Sequence, residues 1–331
     1  MFRIEAHLGL DVWTSSRRSA CLAFADAPGY RLAAGEPQCP QDALKETFAE
    51  FEEDCRRKNR RVIYFGLPQA DILELNASNH RGVLHLGDIP VFNLRNWEHL
   101  HQMPREIRSQ MRRAMRHGVT VRHVALPPSD MSSLQKCLSD WLRHKGLPPM
   151  GFATTPFLLD PWPSHGIFVA ETKDRVCGFL VSSHSLHRDI LRIDAVVRIP
   201  HAPNGTAELL VAAAFQDGMQ RGLERATLDL APLSAHSQSP HLKSPLWFTL
   251  LAAVARHLGS PWYSFGGLEA FKAKFHPDSW QSFYCVSQSR QFPVRDFIAV
   301  LRAFAGGSLM RYARQSLLWK MGFRSSIIPK N

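Results

Sequence analysis

An acidic residue inside an otherwise apolar stretch is the first candidate for chemistry in this sequence. Asp194 lies between Arg192 and Arg198, and the other residues between these two arginines are apolar. A buried carboxylate is costly unless it is partnered, so Asp194 is either paired structurally or poised for function. An ordinary aspartate is a weak base at neutral pH, so a base role requires burial that raises its pKa.

A glycine turn follows this stretch and leads into a predicted helix. Asn204, Gly205 and Thr206 come directly after Pro203 and precede a run of apolar residues. The N-terminus of a helix exposes free N–H groups, which can bind a phosphate or an oxyanion. We therefore interpret Asn204, Gly205 and Thr206 as candidate substrate-binding residues.

Two lysines lie further along, on a short predicted helix. Lys272 and Lys274 are separated by one residue, so they point in different directions and at most one is expected to face a given site. A lysine ammonium group can stabilise an oxyanion or protonate a leaving oxygen. Tyr284 follows and can supply a hydrogen bond.

The segment between Pro104 and Gly118 predicts a helix with two different faces. At helical spacing, four arginines share one side and apolar residues occupy the other: Arg105, Arg108, Arg112 and Arg116 against Ile107, Met111, Ala114 and Met115. A solvated charged face is the common explanation of such a run. The uniform choice of arginine, whose planar group matches phosphate, instead favours a phosphate-binding surface for nucleic acid or lipid headgroups.

The net charge is concentrated in two segments. The chain has 331 residues and a formal net charge of +11, from 40 Lys and Arg against 29 Asp and Glu. Residues 95–125 hold seven Arg and two Glu, residues 297–331 hold six basic residues and no acid, and the remainder is neutral. This distribution predicts a polyanionic partner. The basic tail, rich in apolar residues, is typical of a helix that lies at a membrane surface or over a hydrophobic opening, or of a helix packed on the core.

Composition excludes several classes of protein. Hydrophobic residues make up 45% and charged residues 21%, which is typical of globular chains rather than disordered or fibrous ones. Apolar runs are too short to span a bilayer and no signal peptide is evident, which predicts a soluble intracellular protein. The six Cys form no C-x-x-C pair and the sixteen His show no metal-ligand spacing, so neither disulfides nor a metal site is predicted.

Hydrophobic patterning predicts alternating strands and helices, hence an α/β (α+β) fold. Strands are predicted at Cys21–Ala25, Tyr30–Ala34, Arg61–Phe65, Val83–Leu86, Val91–Leu94, Val119–Val124, Ile167–Glu171, Val176–Ser182, Ile190–Val197 and Thr227–Leu230. The residues Gly87-Asp88-Ile89-Pro90 are predicted to form the turn between Val83–Leu86 and Val91–Leu94. Helices are predicted at Asp42–Arg57, Met131–His144, Thr206–Arg221 and Pro245–His257, besides the helix that Pro104 opens. Residues 145–165 form a segment rich in Pro and Gly, which suggests a boundary between domains 1–150 and 151–331. In the second half, three antiparallel strands, a glycine turn and a helix follow the order of a GNAT acyltransferase core.

Several motifs in the same order resemble the catalytic domain of the bacterial phosphatidylglycerol aminoacyltransferases, the multiple peptide resistance factor family. They extend from Ala25 to Tyr284: Leu86-Gly87, Asn93-Leu94, Arg108-x3-Arg112-x3-Arg116-x-Gly118, Met150-Gly151-Phe152, Asp194-x3-Arg198, Ala202-Pro203-Asn204-Gly205, Ala231-Pro232-Leu233 and Phe271-Lys272-x-Lys274-Phe275-x-Pro277. The family often has Arg immediately before the position of Arg198, where this chain has Val197. Its multi-spanning flippase domain has no counterpart in these residues, so the resemblance implies a free-standing relative.

This resemblance implies two tandem GNAT-like domains with largely antiparallel mixed sheets, the C-terminal one being catalytic and carrying the basic C-terminal helix. It also implies transfer of an aminoacyl group from charged tRNA to a lipid hydroxyl, at the cytoplasmic face of the membrane. Asp194, Lys272, Lys274 and Tyr284 are then the catalytic candidates. The substrate-binding candidates are Arg108, Arg112, Arg116, Arg198, Asn204, Gly205, Thr206, Pro232 and Phe271. The expected partners are aminoacyl-tRNA and anionic phospholipid, with no cofactor and no metal.

Two other functions remain open on the sequence alone. One is an N-acyltransferase that uses acyl-CoA, whose loop has Gln or Arg three residues before the glycine and Gly or Ala two residues after it. Gly205 and Ala207 fit this pattern, whereas Ala202 departs from it. The other is a tRNA- or membrane-binding module without catalysis, which binds in a salt-dependent way and shows no turnover.

Overall fold

A computed structural model describes residues 10–17, 19–75, 81–97, 99, 102–124, 131–152, 165–185, 189–237, 242–258 and 263–321 of the protein. The strands are β1 Asp11–Thr14, β2 Cys21–Ala27, β3 Tyr30–Ala34, β4 Arg61–Pro68, β5 Gly82–Asn93, β6 Thr120–Val124, β7 His165–Glu171, β8 Val176–Ser185, β9 Ile190–Arg198, β10 Arg225–Thr227, β11 Ala231–Pro232 and β12 Ser279–Ser287. The helices are α1 Leu44–Arg57, α2 Gln69–Leu75, α3 Arg105–Arg116, α4 Met131–Arg143, α5 Thr206–Gln220, α6 Leu246–Leu258, α7 Phe265–Ala273, α8 Val294–Phe304 and α9 Leu309–Lys320.

These strands form one mixed sheet. Its order is β1-β2-β3-β4-β12-β5-β10-β9-β8-β7-β6, and β11 pairs with β5 outside this path. The pairs β3–β4 and β9–β10 are parallel, and the others are antiparallel. The predicted fold class, α/β with a mixed and largely antiparallel sheet, is confirmed.

The strand order crosses the predicted boundary at residue 150. β6 precedes this boundary but pairs with β7 beyond it. Conversely, β12 lies between β4 and β5 and pairs with both. The division into domains 1–150 and 151–331 stays a prediction. Any such division must place β6 with the later strand β7, and β12 with the earlier strands β4 and β5.

One predicted turn is wrong. Gly87-Asp88-Ile89-Pro90 does not separate two strands, because β5 runs without interruption from Gly82 to Asn93. The glycine instead accompanies a register shift opposite Phe283 and Tyr284 of β12. A Cβ at Gly87 would lie 2.2 Å from the carbonyl oxygen of Ala231, so glycine allows β11 to pair here. The turn residues therefore mark a bulge in a long strand.

The helix with arginines on one side packs through its other side, except that Met115, predicted on the apolar side, is 57% exposed. Ile107, Met111 and Ala114 of α3 are buried in a core shared with α5 and the β9 residues Leu191 and Ile193. α4 covers the opposite face of the same strands, where Val197 is buried. β9 is thus enclosed on both faces by helices, and its polar residues require a defined environment.

Candidate active site

Asp194 lies where two parallel strands part. β9 and β10 pair at three positions, the last of which joins Thr227 to Arg192. β10 ends there, whereas β9 continues to Arg198. Asp194 is also the additional residue of a β-bulge, because Ile193 and Ala195 pair with consecutive residues of β8. Bulges of this kind redirect side chains and are common beside active sites.

The two oxygens of the Asp194 carboxylate differ in their contacts. The Ser183 hydroxyl donates a hydrogen bond to Oδ1 at 3.0 Å, and Arg192 Nε lies 3.8 Å from the same oxygen. Oδ2 is buried and has no hydrogen-bond partner among the described residues. An unpaired carboxylate oxygen keeps its capacity to accept a proton.

The surroundings make Asp194 a stronger base than an ordinary aspartate. Burial raises the pKa of its carboxyl group to about 6, and the Asp229 carboxylate adds to this effect. The Arg192 charge and the Ser183 hydrogen bond act in the opposite direction. The shifted pKa meets the condition that a base role imposes at neutral pH, since the group is then mostly ionised and still basic.

Arg192 is the positive centre of this site. Burial lowers the pKa of its guanidinium, but the carboxylates of Asp194, Asp229 and Glu36 outweigh burial and raise the pKa above its ordinary value. Thr227, which pairs with Arg192, is buried, and its Oγ1 lacks a hydrogen-bond partner within the described ranges. Its neighbour Ala226 packs in the core with α5. Because strand side chains alternate, Thr227 faces the opposite side of the sheet.

Lys272 lies beside Asp229 in the wall of this site. Its Nζ donates to the carbonyl oxygens of Asp229 at 2.8 Å and Leu230 at 2.5 Å. Burial lowers the pKa of Lys272 to about 8, although Asp229 opposes this change. Asp229 has a φ of 62°, a left-handed conformation that a non-glycine residue adopts at some cost. Lys272 therefore holds the loop that places Asp229 near Asp194.

Lys274 belongs to a different cavity. Its Nζ lies 2.5 Å from Oε1 of Glu208 and 4.4 Å from the ring centre of Phe271. A cleft of about 520 Å³ joins this pair to the arginine helix and is lined by Arg105, Glu106, Ile107, Ser109, Gln110, Glu208 and Lys274. Lys272 of α7 and Lys274, the residue that follows this helix, thus contact different neighbours, and Lys272 is the one whose neighbour also acts on Asp194.

The arginines of α3 form a charged surface. Arg105, Arg112 and Arg116 are exposed, and Arg108 is half-buried with an Nε that lacks a partner among the residues described. Among the described residues, no ion pair joins these four arginines to an acid. A row of unneutralised guanidinium groups is what a phosphate backbone requires.

The glycine turn before α5 has a packing function. Gly205 caps α5 with a φ of 96°, and a Cβ there would lie 1.9 Å from the carbonyl oxygen of Gln110 in α3. Thr206 is buried and donates its hydroxyl hydrogen to Pro203 O at 2.6 Å, whereas Asn204 is exposed. The turn thus brings the start of α5 against the arginine helix. Its predicted role in binding substrate stays a prediction.

Tyr284 has contacts away from Asp194. It is buried in the core formed with α1 and α2, and its hydroxyl accepts a hydrogen bond from Leu242 N at 3.2 Å. Its ring lies 5.3 Å from that of His85. Arg198 is exposed at the end of β9, and Phe271 packs beside the core with α5. The roles predicted for these three residues remain predictions.

Pro232 belongs to a loop that a buried aspartate fixes. Pro232 pairs with Gly87, and the following residues fold over Asp88. Asp88 accepts hydrogen bonds from His85, Ser282 and the backbone N–H groups of His236 and Ser237. Burial raises the pKa of Asp88, but these hydrogen bonds outweigh it and lower the pKa to about 2. Asp88 thus stays ionised and fixes the loop that follows Asp229 and Leu230.

Several residues of the site were missed from the sequence. Asp229, Ser183, Thr227 and Glu36 come from three separate parts of the chain, because Thr227 and Asp229 are only two residues apart. Asp229 carries the one usable signal, since it is an acidic residue inside the predicted strand Thr227–Leu230, as Asp194 is in its own strand. In the described part of the chain, His, Cys, Asp and Glu side chains nowhere gather in a group suited to a metal ion.

The chain belongs to the family described as phosphatidylglycerol lysyltransferase, C-terminal, whose model matches residues 9–287. This match covers the whole of the site and confirms the resemblance drawn from the motifs. Within the described ranges, each helix is too short or too polar to cross a bilayer.

Curated relatives and a solved structure agree with this family. The chain is 26% identical over 244 residues to the lysylphosphatidylglycerol biosynthesis bifunctional protein LysX of Nocardia farcinica, covering 70% of this chain and 20% of that protein. It is 22% identical over 303 residues to the phosphatidylglycerol lysyltransferase of Bacillus subtilis, covering 88% of this chain and 34% of that protein. The structure of L-PGS from Bacillus licheniformis matches with a TM-score of 0.70 and 21% identity, covering 93% of this chain and 90% of that one. The chain thus spans from a fifth to a third of these curated relatives' length.

Proposed function

We propose that this protein transfers an aminoacyl group from charged tRNA to the hydroxyl group of an anionic phospholipid, phosphatidylglycerol or a related lipid. The observation that carries the proposal is the Asp194 carboxylate, with a pKa raised to about 6 and an unpartnered Oδ2, in a chain of this family. The relatives' names supply the class of acceptor lipid. The arginine surface on α3 supplies a reason to expect a nucleic-acid donor.

The chemistry requires a base and a group that stabilises negative charge. Asp194 Oδ2 accepts the proton of the lipid hydroxyl as its oxygen attacks the ester carbonyl of the aminoacyl-tRNA. The tetrahedral oxyanion then collapses, the bond to the ribose oxygen breaks, and the proton returns from Asp194 to that oxygen. An ester of this kind is already activated, so alignment and charge stabilisation suffice.

Lys272 is the better placed of the two lysines for the oxyanion. Two of its three N–H donors are used by carbonyl oxygens, and among the described residues the third is left for a substrate. Lys274 is instead paired with Glu208 beside the arginine helix, where it would contact the donor tRNA. The protein would work at the cytoplasmic face of the membrane, where both substrates meet.

The experiment is transfer of a radiolabelled amino acid from tRNA to phosphatidylglycerol by the purified protein. Lys272→Met is expected to lower kcat, and Lys274→Met to raise KM for the tRNA. Lys45→Met, at an exposed position on α1, is the matched control and is expected to leave both parameters unchanged. Absence of lipid product from the wild-type protein, or full activity in both the Lys272→Met and the Lys274→Met variants, would contradict the proposal.

A further inference from the structure

Helix α6 is apolar on both of its faces, although it lies at the surface. Phe248 points inward and is 6% exposed, and it packs in the core beside β2 and α8. On the outward face, Leu246 is 74%, Leu250 60% and Val254 53% exposed. These three residues follow one another at intervals of four, so they form one stripe. A helix that is apolar all round is normally covered on all sides.

The neighbouring helix α8 continues this pattern. Its Phe297 ring lies 5.5 Å from that of Trp247 and 5.7 Å from that of Phe248 in α6. Val294 is 52% exposed and Leu301 39% exposed, and their spacing of seven residues puts them on one side of α8. We call these five exposed side chains the apolar face: Leu246, Leu250, Val254, Val294 and Leu301.

Within residues 242–258 and 294–304, which carry the apolar face, the exposed charges are all positive. Lys243, Arg295 and Arg302 are exposed beside it. Across residues 242–258 and 294–304 the sole acidic residue is Asp296, whose side chain is 1% exposed. A matching partner must therefore offer an apolar layer together with negative charge. A second copy of the chain would bring the same cations against one another, because a two-fold contact joins a patch to itself.

The apolar face is connected to the candidate active site. Arg256, near the end of α6, donates to the carbonyl oxygen of Leu233 at 2.6 Å, and Leu233 follows Pro232 in the loop beyond Asp229. The same guanidinium lies 2.6 Å from Oε2 of Glu269 in α7, the helix that carries Lys272. Whatever α6 binds is thus held next to the loop and the helix that shape the site.

We propose that the apolar face is the surface by which this protein lies on an anionic lipid bilayer. This inference rests on the proposed function, because contact between the apolar face and the bilayer would bring the lipid hydroxyl to the site. With 13 residues, α6 is about 20 Å long. Its stripe enters the boundary between headgroups and acyl chains while Lys243, Arg295 and Arg302 contact lipid phosphates.

Flotation with vesicles tests this surface without any need for turnover. Wild-type protein is expected to bind vesicles of equal parts phosphatidylcholine and phosphatidylglycerol, and to bind vesicles of phosphatidylcholine alone far less. Leu250→Asp is expected to weaken binding by about tenfold or more. Leu73→Asp is the matched control, because Leu73 is 61% exposed on α2, outside the apolar face, and its variant is expected to bind like wild type.

A second measurement keeps the inference open to refutation if Leu250→Asp folds poorly. The six native cysteines are buried, so Val254→Cys can be labelled selectively with a fluorophore that reports polarity. Its emission is expected to shift to the blue on vesicles that contain phosphatidylglycerol. No shift, or equal binding by Leu250→Asp and Leu73→Asp, would overturn the assignment. A wild-type dimer that Leu250→Asp dissociates would assign the face to a second copy instead.

A failure of the bilayer contact can be distinguished from a failure of the proposed function. Aminoacyl transfer to a short-chain phosphatidylglycerol dispersed as monomers does not require a bilayer. If the inference holds, Leu250→Asp loses activity on vesicles and retains it on the dispersed lipid. A protein that binds vesicles through the apolar face but forms no product would contradict the proposed function alone.

Discussion

Arg192 Nε lies 3.8 Å from Oδ1 of Asp194, on the side of the carboxylate that Ser183 also contacts. The two partners fix one oxygen and leave Oδ2 unpaired among the described residues. Because Asp194 is the additional residue of a β-bulge beyond the last β9–β10 pair, this arrangement is produced by the strand itself. A held oxygen and a free oxygen on one carboxylate suit the transfer of a proton in a defined direction.

Asp194→Asn is expected to reduce the rate of aminoacyl transfer by about a hundredfold or more, because an amide cannot accept the proton. The rate of product formation with saturating charged tRNA measures the loss. Asp174→Asn, in the exposed turn between β7 and β8, is the matched control and is expected to keep the wild-type rate. Wild-type activity in the Asp194→Asn protein would show that the base lies elsewhere.

Ser183→Ala is expected to change the pH dependence rather than abolish activity. The Ser183 hydrogen bond lowers the pKa of Asp194, so its removal raises that pKa above about 6. The base is active when ionised, and the acid limb of the rate profile should therefore move to higher pH. A limb that stays in place, or moves to lower pH, would contradict the assignment of Asp194 as the titrating group.

The raised pKa of Asp194 also predicts how stability depends on pH. The carboxyl group ionises near 3.8 in the unfolded chain and near 6 in the folded one, so its ionisation costs the folded state free energy. This cost is absent below pH 3.8 and is complete above about pH 6. Asp194→Asn is then expected to raise the free energy of unfolding by at most about 3 kcal/mol at neutral pH. Urea unfolding at several pH values measures this free energy. A stabilisation by Asp194→Asn that does not shrink toward pH 4 would argue against the shifted pKa.

The sequence predicts most of this fold because its strands and helices are marked locally. The positions of α3 and α5 follow from apolar spacing and from Pro104 and Gly205. β12 was not predicted, since its insertion between β4 and β5 depends on pairing with residues about 200 positions away. The turn expected at Gly87 is a bulge because Ala231 approaches that glycine, a contact with no local signature.

Only part of the candidate site could be predicted from the sequence. Asp194 is conspicuous as an acid in an apolar strand, and Lys272 and Lys274 are conspicuous by their spacing. What the sequence does not show is that Asp229 links Lys272 to Asp194, because this depends on the left-handed conformation of one residue. Ser183 reaches Asp194 through the register of β8, which a bulge sets.

Gly205→Ala is expected to destabilise the protein by more than about 2 kcal/mol, since it adds a left-handed alanine and a clash with Gln110 O. Gly222→Ala is the matched control. Gly222 has a φ of 86° and nothing within 4 Å of an added Cβ, so this variant is expected to lose only about 1 kcal/mol. Chemical denaturation compares the two, and equal losses would show that the contact between α3 and α5 is not tight.

Arginine substitutions on α3 are expected to weaken tRNA binding in a way that depends on salt. Arg112→Gln and Arg116→Gln each remove one exposed guanidinium that has no acidic partner among the described residues. If each contacts a phosphate, the slope of log affinity against log salt should fall by about one per substitution. Arg290→Gln, at an exposed position after β12, is the control for net charge alone and is expected to leave the slope unchanged. Filter binding across a salt series measures all three variants. A slope that falls equally for Arg290→Gln would mean that the total charge, rather than the α3 surface, attracts the nucleic acid.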